Sequence, residues 1–222
     1  SAGLIDRARG RKQSDGKTMD AGRTMGTMNR HANGSRVSGS LVFLQEFLKH
    51  PLQIGSIIPS SRFLERRVVE AAGAADGEVI VELGPGVGGI TRALLAAMGP
   101  EARLLSIEIN PNFHSWVERI NDQRLIAHLG SAVDLEEILA GYALAPPSAV
   151  VSGIPFSTMD RRIGSQILAT VSSVLPVNGR FVAYQVNSQV ATLCEPFLGC
   201  GQRTMEYLNI PPMRIFQWVK QA

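Results

Sequence analysis

Val79-Ile80-Val81-Glu82-Leu83-Gly84-Pro85-Gly86-Val87-Gly88-Gly89 passes from an apolar, β-branched run into a glycine turn and then into a helical pattern. Glycine admits positive φ and lets a ligand approach the backbone closely. The helix start behind it offers free N–H groups. Reading outward, Glu78–Leu83 is expected as a strand and Gly88–Met98 as a helix. Strands are expected again at Arg103–Glu108, Arg124–Leu129, Ser148–Ser152 and Gly179–Val186. Between them lie helical patterns at Pro111–Asn121, Leu135–Gly141 and Asp160–Leu175, with another at Ser188–Leu198. Two strands in succession, Arg203–Asn209 and Met213–Lys220, close the chain. Strands alternating with helices imply a mostly parallel sheet covered on both faces, and the closing pair implies an antiparallel member. The expected fold is a doubly wound α/β domain with a seven-stranded sheet over 74–222.

Gly84, Gly86 and Gly89 satisfy G-x-G-x-x-G, a pattern shared with dinucleotide-binding proteins. Glu82 separates the two readings. It stands two residues before the first glycine, where a carboxylate repels a pyrophosphate and favours a ligand carrying an ammonium and a sulfonium. S-adenosylmethionine carries both charges and no phosphate. A second acid, Glu108, ends the next strand in Leu104-Leu105-Ser106-Ile107-Glu108, with Ile109 after it. An acid at that offset accepts hydrogen bonds from ribose hydroxyls in either cofactor class. Gly130-Ser131-Ala132 follows the third strand, where many methyltransferases have an acid against the adenine amino group. Here that contact is expected from the Ser131 hydroxyl or from Asp134.

Val150-Val151-Ser152-Gly153-Ile154-Pro155-Phe156 ends the fourth strand, facing the reactive end of the cofactor. Amine methyltransferases often carry a polar-x-Pro-aromatic segment at this point. A protonated amine has no lone pair, so the acceptor must be neutral when it attacks. Backbone carbonyls over Ser152–Ile154 and the Ser152 hydroxyl can accept its hydrogens, Pro155 stiffens the turn, and Phe156 can pack against the methyl group or a cationic product. The alternative reading makes Pro155-Phe156 a turn with a core aromatic. No strong general base stands out, and among the histidines only His50 falls near the cleft in the reading.

The 222 residues fit one domain plus an extension. Their net charge of +3 is uneven: residues 1–36 hold eight Lys or Arg against three acids, which leaves −2 for the remainder. The folded body is therefore not basic, and a nucleic-acid partner is not expected. Residues 1–39 read as a disordered basic tail. Such a tail can touch an anionic membrane, at roughly 1 kcal/mol per well-placed Lys or Arg. Residues 40–73 read as two helices, one over Ser40–Lys49 with Leu41, Leu44 and Leu48 on one face, the other from Pro59-Ser60-Ser61 to Ala72. No apolar run is long enough for a transmembrane helix, and a cytoplasmic enzyme is expected. Cys194 and Cys200 match no common zinc or redox spacing, and no metal is expected.

Phe47-Leu48-Lys49-His50-Pro51, Ile54-Gly55-Ser56-Ile57-Ile58-Pro59-Ser60-Ser61, Val81-Glu82-Leu83-Gly84-Pro85-Gly86 and Ser152-Gly153-Ile154-Pro155-Phe156 together resemble bacterial phospholipid N-methyltransferases. These are related in fold to ribosomal RNA adenine dimethylases. The resemblance spans about residues 40–220 and implies methyl transfer to the amine of phosphatidylethanolamine and its methylated forms, giving phosphatidylcholine. Close relatives act on ornithine lipids, and RNA adenine is the rival acceptor. The resemblance also implies an enzyme peripheral on the inner membrane face, with the N-terminal amphipathic helix on the membrane. The expected acceptor set is Ser152, Gly153, Ile154, Pro155 and Phe156. The expected cofactor set is Ser56, Ile57, Glu82, Gly84, Pro85, Gly86, Gly88, Glu108, Ile109, Ser131, Ala132 and Ser152.

Overall fold

The computed structural model describes residues 60–222. The expected tail over 1–39, the helix over Ser40–Lys49, and the candidates His50, Ser56 and Ile57 lie outside the described residues.

Helix α1 (Arg62–Ala72) starts where the Ser61 side chain accepts a hydrogen bond from the Leu64 amide, and Gly73 closes it. There follow β1 (Val79–Leu83), α2 (Gly89–Ala97), β2 (Arg103–Glu108), α3 (Pro111–Glu118), β3 (Leu125–Leu129) and α4 (Leu135–Gly141). The second half runs β4 (Ala149–Ser152), α5 (Arg161–Val174), β5 (Arg180–Gln185), α6 (Gln189–Leu198), β6 (Gln202–Glu206) and β7 (Met213–Val219). Two expected elements end early. Helix α3 stops at Glu118, where the Ile120 amide turns back to the Val117 carbonyl. Strand β6 stops at Glu206, because the Glu206 carboxylate takes the Leu208 amide at 2.7 Å and draws the chain into a loop.

The seven strands lie in the order β3-β2-β1-β4-β5-β7-β6. All pairings are parallel except those of β7, which runs antiparallel to both β5 and β6. The chain winds outward from β1 through β2 to β3, then returns to place β4 on the other side of β1. That reversal puts the carboxyl ends of β1 and β4 side by side, with Leu83 in register with Ser152. A doubly wound sheet binds its ligand at this switch point.

Side chains alternate across the sheet. Val81, Leu83, Leu105, Ile107, Val150 and Phe181 pack with α4, α5 and α6 on one face. Ile80, Leu104, Val151 and Val182 pack with α1 and α2 on the other. Trp218 on β7 stacks on Phe181 and Phe216, with ring centroids 5.2 and 5.8 Å away. The same alternation sends Glu82 to the α1–α2 face with Ile80. No described helix is long and apolar enough to cross a membrane.

Candidate active site

Two cavities meet at the switch point and share Gly84, Gly86, Gly153 and Pro155 as walls. The first, about 670 Å³ with its open mouth, lies over β2 and β3. Its lining is largely apolar (Ile107, Ile109, Phe113, Ala132, Met159, Ile167), with Glu108 and Ser131 as its polar groups. The second, about 770 Å³, lies over β4 and β5. Among the described residues its polar groups are the neutral side chains of Ser60, Tyr184, Gln185 and Asn209, with no lysine, arginine or acid in its lining.

The Glu108 carboxylate ends β2 at the floor of the first cavity. One oxygen accepts the Asn110 amide at 2.9 Å and the other accepts the Gly86 amide at 3.3 Å, so the acid clamps the glycine loop from beside it. Burial raises its pKa, opposed by those backbone N–H groups and by nearby His114. Gly84 and Gly86 both have positive φ, 70° and 55°. A Cβ added at Gly86 would meet nothing within 4 Å, so the backbone there fronts open space.

Glu82 is fully buried and lines neither cavity, contrary to its expected place beside the ligand. Period-two alternation turns it under α2, where one carboxylate oxygen accepts hydrogen bonds from Thr91 (2.7 Å) and Ser106 (2.9 Å). The other oxygen has no hydrogen-bond partner among the described residues. Burial pushes this acid up to about 7, with the two hydroxyls pulling down and Glu108 adding to the rise. The phenol of half-buried Tyr184 is pushed up too, chiefly by desolvation and then by the charges of Glu82 and Glu108. Glu82 thus bears on Tyr184 through its charge without facing either cavity.

At the end of β4 the Gly153 amide donates to the Leu83 carbonyl at 2.9 Å and ties the loop after β4, the expected acceptor loop, to β1. Gly153, Ile154 and Pro155 line the first cavity, and Gly153 and Pro155 the second as well. The Ile154 carbonyl accepts a 2.6 Å hydrogen bond from Gln185 Nε2, which fixes that carbonyl from the end of β5. Two expected acceptor groups are displaced. The Ser152 hydroxyl is fully buried and accepts the Ile154 amide at 3.2 Å, so it shapes the turn and does not face an amine. Phe156 is fully buried in the core, with its ring facing Gly164 on α5, so the core-aromatic reading applies.

Of the expected cofactor set, Gly84, Pro85, Gly86, Glu108, Ile109, Ser131 and Ala132 line the paired cavities. Gly88 does not; its φ of 80° closes the turn that starts α2. Ser131 faces the first cavity while its hydroxyl accepts the Val133 amide at 3.3 Å. Asp134 faces a separate surface depression with His128 and Tyr142, so it does not supply the missing acid. The sequence reading missed Phe113, Met159 and Ile167, which are core-like in pattern, and Asn209, which carried no signal at all. Gln185 did have a signal: a polar residue ending an apolar strand beside β4.

No family model matches the chain. Over 142 residues it is 32% identical to the ornithine lipid N-methyltransferase of Singulisphaera acidiphila, covering 63% of this chain and 74% of that protein. The chain belongs to this family of S-adenosylmethionine-dependent methyltransferases. The methyltransferase is also 33% identical over 106 residues to the ribosomal RNA small subunit methyltransferase A of Caulobacter vibrioides, covering 46% of this chain but only 37% of that one. Among solved structures it resembles the O-methyltransferase TomG of Streptomyces achromogenes, in complex with S-adenosylmethionine (TM-score 0.60, 14% identity, 86% of this chain and 92% of that one). It also resembles the N-methyltransferase NodS of Bradyrhizobium japonicum (TM-score 0.58, 11% identity, 74% and 100%). At those identities the structural likeness speaks to the fold alone.

The cofactor S-adenosylmethionine supplies a methyl carbon on a positively charged sulfur. The residues fit it: an apolar slot with one acid, Glu108, on which ribose hydroxyls would have an acceptor, a glycine edge open to close approach, and the buried Glu82 carboxylate with an oxygen that has no partner among the described residues. Glu82 gives this fit a pH signature. Its raised pKa means its favourable share of folding stability is complete below about 4.5 and is lost as pH rises through about 7. A cation bound in the neighbouring slot would favour the ionised acid. Cofactor affinity in the methyltransferase is therefore expected to rise roughly tenfold from pH 6 to pH 8 by calorimetry, and to flatten in Glu82→Gln. A profile equally steep in the variant would remove Glu82 from the account.

Proposed function

We propose that the enzyme transfers the methyl group to the headgroup amine of a membrane lipid, working as a peripheral protein at the cytoplasmic membrane face. The observation that carries this reading is the second cavity, which meets the cofactor slot at Gly153 and Pro155. Its neutral polar lining suits an amine that must reach the methyl carbon without its extra proton. An ammonium neighbour would repel that amine's protonated form on entry, and a carboxylate in contact would hold it protonated. Backbone carbonyls of the acceptor loop, with the Ile154 carbonyl fixed by Gln185, orient the amine hydrogens so that the lone pair faces the methyl carbon. Catalysis is then chiefly positioning.

An ornithine lipid is favoured by the relative that covers most of its length, and phosphatidylethanolamine by the motif resemblance. The test is incubation of the full chain with labelled S-adenosylmethionine and vesicles carrying either lipid, followed by mass spectrometry. Label in one lipid amine is expected. Label only in added ribosomal RNA, or in neither lipid, would reject the reading.

A further inference from the structure

The loop between β6 and β7 exposes large apolar side chains while its backbone is held firmly. Tyr207, Leu208 and Ile210 are 72%, 62% and 85% exposed. Between them Asn209 is only 3% exposed. Its side-chain oxygen accepts the Ser61 amide at 2.9 Å and its nitrogen donates to the Pro211 carbonyl at 3.0 Å. The Leu208 amide is held by Glu206, and Glu206 is itself paired with Arg67 at 2.7 Å. The apolar side chains therefore project from an anchored support.

Their position gives the projection a purpose. Asn209 and Pro211, from the same loop, line the second cavity together with Val186, itself exposed. The Asn209–Ser61 bond also sets the start of α1 against the loop, and α1 opens with exposed Arg62 and Phe63. The two segments that line this side of the cavity through Ser60, Leu64, Asn209 and Pro211 thus also carry exposed aliphatic groups, two aromatic rings and a cation. A lipid amine sits at headgroup depth, a few ångströms above the acyl chains. A cavity that receives it must open at that depth, with its rim crossing the boundary. Apolar groups gain by entering there, tyrosine suits the boundary, and arginine meets lipid phosphates.

We propose that the 207–212 loop, flanked by Phe63 and Val186, inserts into the headgroup–acyl boundary of an anionic bilayer and holds the acceptor cavity open to the lipid headgroups. This rests on the lipid reading above and adds the surface that delivers the substrate. The occupant is the bilayer: an apolar rim next to a cation matches an anionic lipid surface, and the rim is continuous with the cavity that would take the headgroup.

The test compares the full chain with its Tyr207→Ser/Leu208→Ser/Ile210→Ser variant, none of the three being a cavity-lining residue. Both are sedimented with vesicles of phosphatidylcholine containing phosphatidylglycerol. The variant is expected to lose about tenfold or more in vesicle partitioning, with an unchanged melting temperature and unchanged cofactor affinity. Methylation of vesicle-embedded lipid is expected to fall in step, and methylation of the same lipid in detergent micelles much less. Unchanged sedimentation of the variant overturns the proposal, as does a change only in oligomeric state, which would make the patch a contact between copies. If the unsubstituted protein sediments through this loop yet methylates no lipid, the function proposed above fails and the surface stands.

Discussion

Glu108→Ala is expected to weaken S-adenosylmethionine binding about 100-fold in calorimetry, with the fold retained. The Glu108 carboxylate stands at the floor of the apolar slot, at the end of β2, where ribose hydroxyls can donate to it. Two hydrogen bonds to a charged group contribute on the order of 3 kcal/mol together, which is about 100-fold in affinity. The same side chain accepts the Gly86 amide at 3.3 Å and the Asn110 amide at 2.9 Å. Alanine therefore also releases the glycine loop and leaves two backbone donors looking for water. Glu108→Gln separates the two effects. It keeps the shape and one acceptor oxygen but no charge, so an intermediate loss is expected. If both variants bind the cofactor as the unsubstituted protein does, the adenosyl group lies elsewhere.

The alternation of strands and helices, the glycine turn and the antiparallel ending were legible in the sequence, because each rests on a local rule; the side-by-side placing of β1 and β4 came only with the fold. Apolar runs make parallel strands, glycines mark the turn, and the two-strand ending marks the antiparallel edge. What a local rule does not carry is the direction of a side chain at a strand end. Glu82 looked like a ligand-facing acid from its distance to Gly84. Counting alternation from Ile80 places it under α2, where Thr91 and Ser106 hold it. Ser152 and Phe156 stand in the segment read as the acceptor loop, yet that loop consumes the hydroxyl for its own turn and buries the ring. Asn209 was unreadable for another reason: its role comes from a contact 148 residues away in sequence, with Ser61. Side chains that work by fixing distant backbone leave no spacing to recognise.

Gly153→Ala is expected to lower kcat about 100-fold while leaving the cofactor bound. Gly153 needs no unusual φ; its constraint is space. A Cβ there would lie 2.7 Å from the Gly84 carbonyl oxygen and would overlap the Tyr184 hydroxyl. The tyrosine end can shift, but the Gly84 carbonyl belongs to the turn that shapes the cofactor slot. The acceptor loop must therefore move away from β1 and stretch the 2.9 Å bond from the Gly153 amide to the Leu83 carbonyl. Overpacking of this kind costs about 1–3 kcal/mol of stability, which a melting curve will show as a modest loss. The larger effect is on alignment. Displacing reacting groups by about 1 Å can cost 100-fold in rate. The Ile154 carbonyl moves with the loop, and its 2.6 Å bond from Gln185 resists that movement, so the amine and the methyl carbon lose their line of approach. The measurement is steady-state turnover of labelled cofactor with the lipid acceptor, beside cofactor affinity by calorimetry. A drop in affinity with unchanged kcat would mean that Gly153 serves the cofactor slot alone and that methyl transfer is not aligned by the loop after β4.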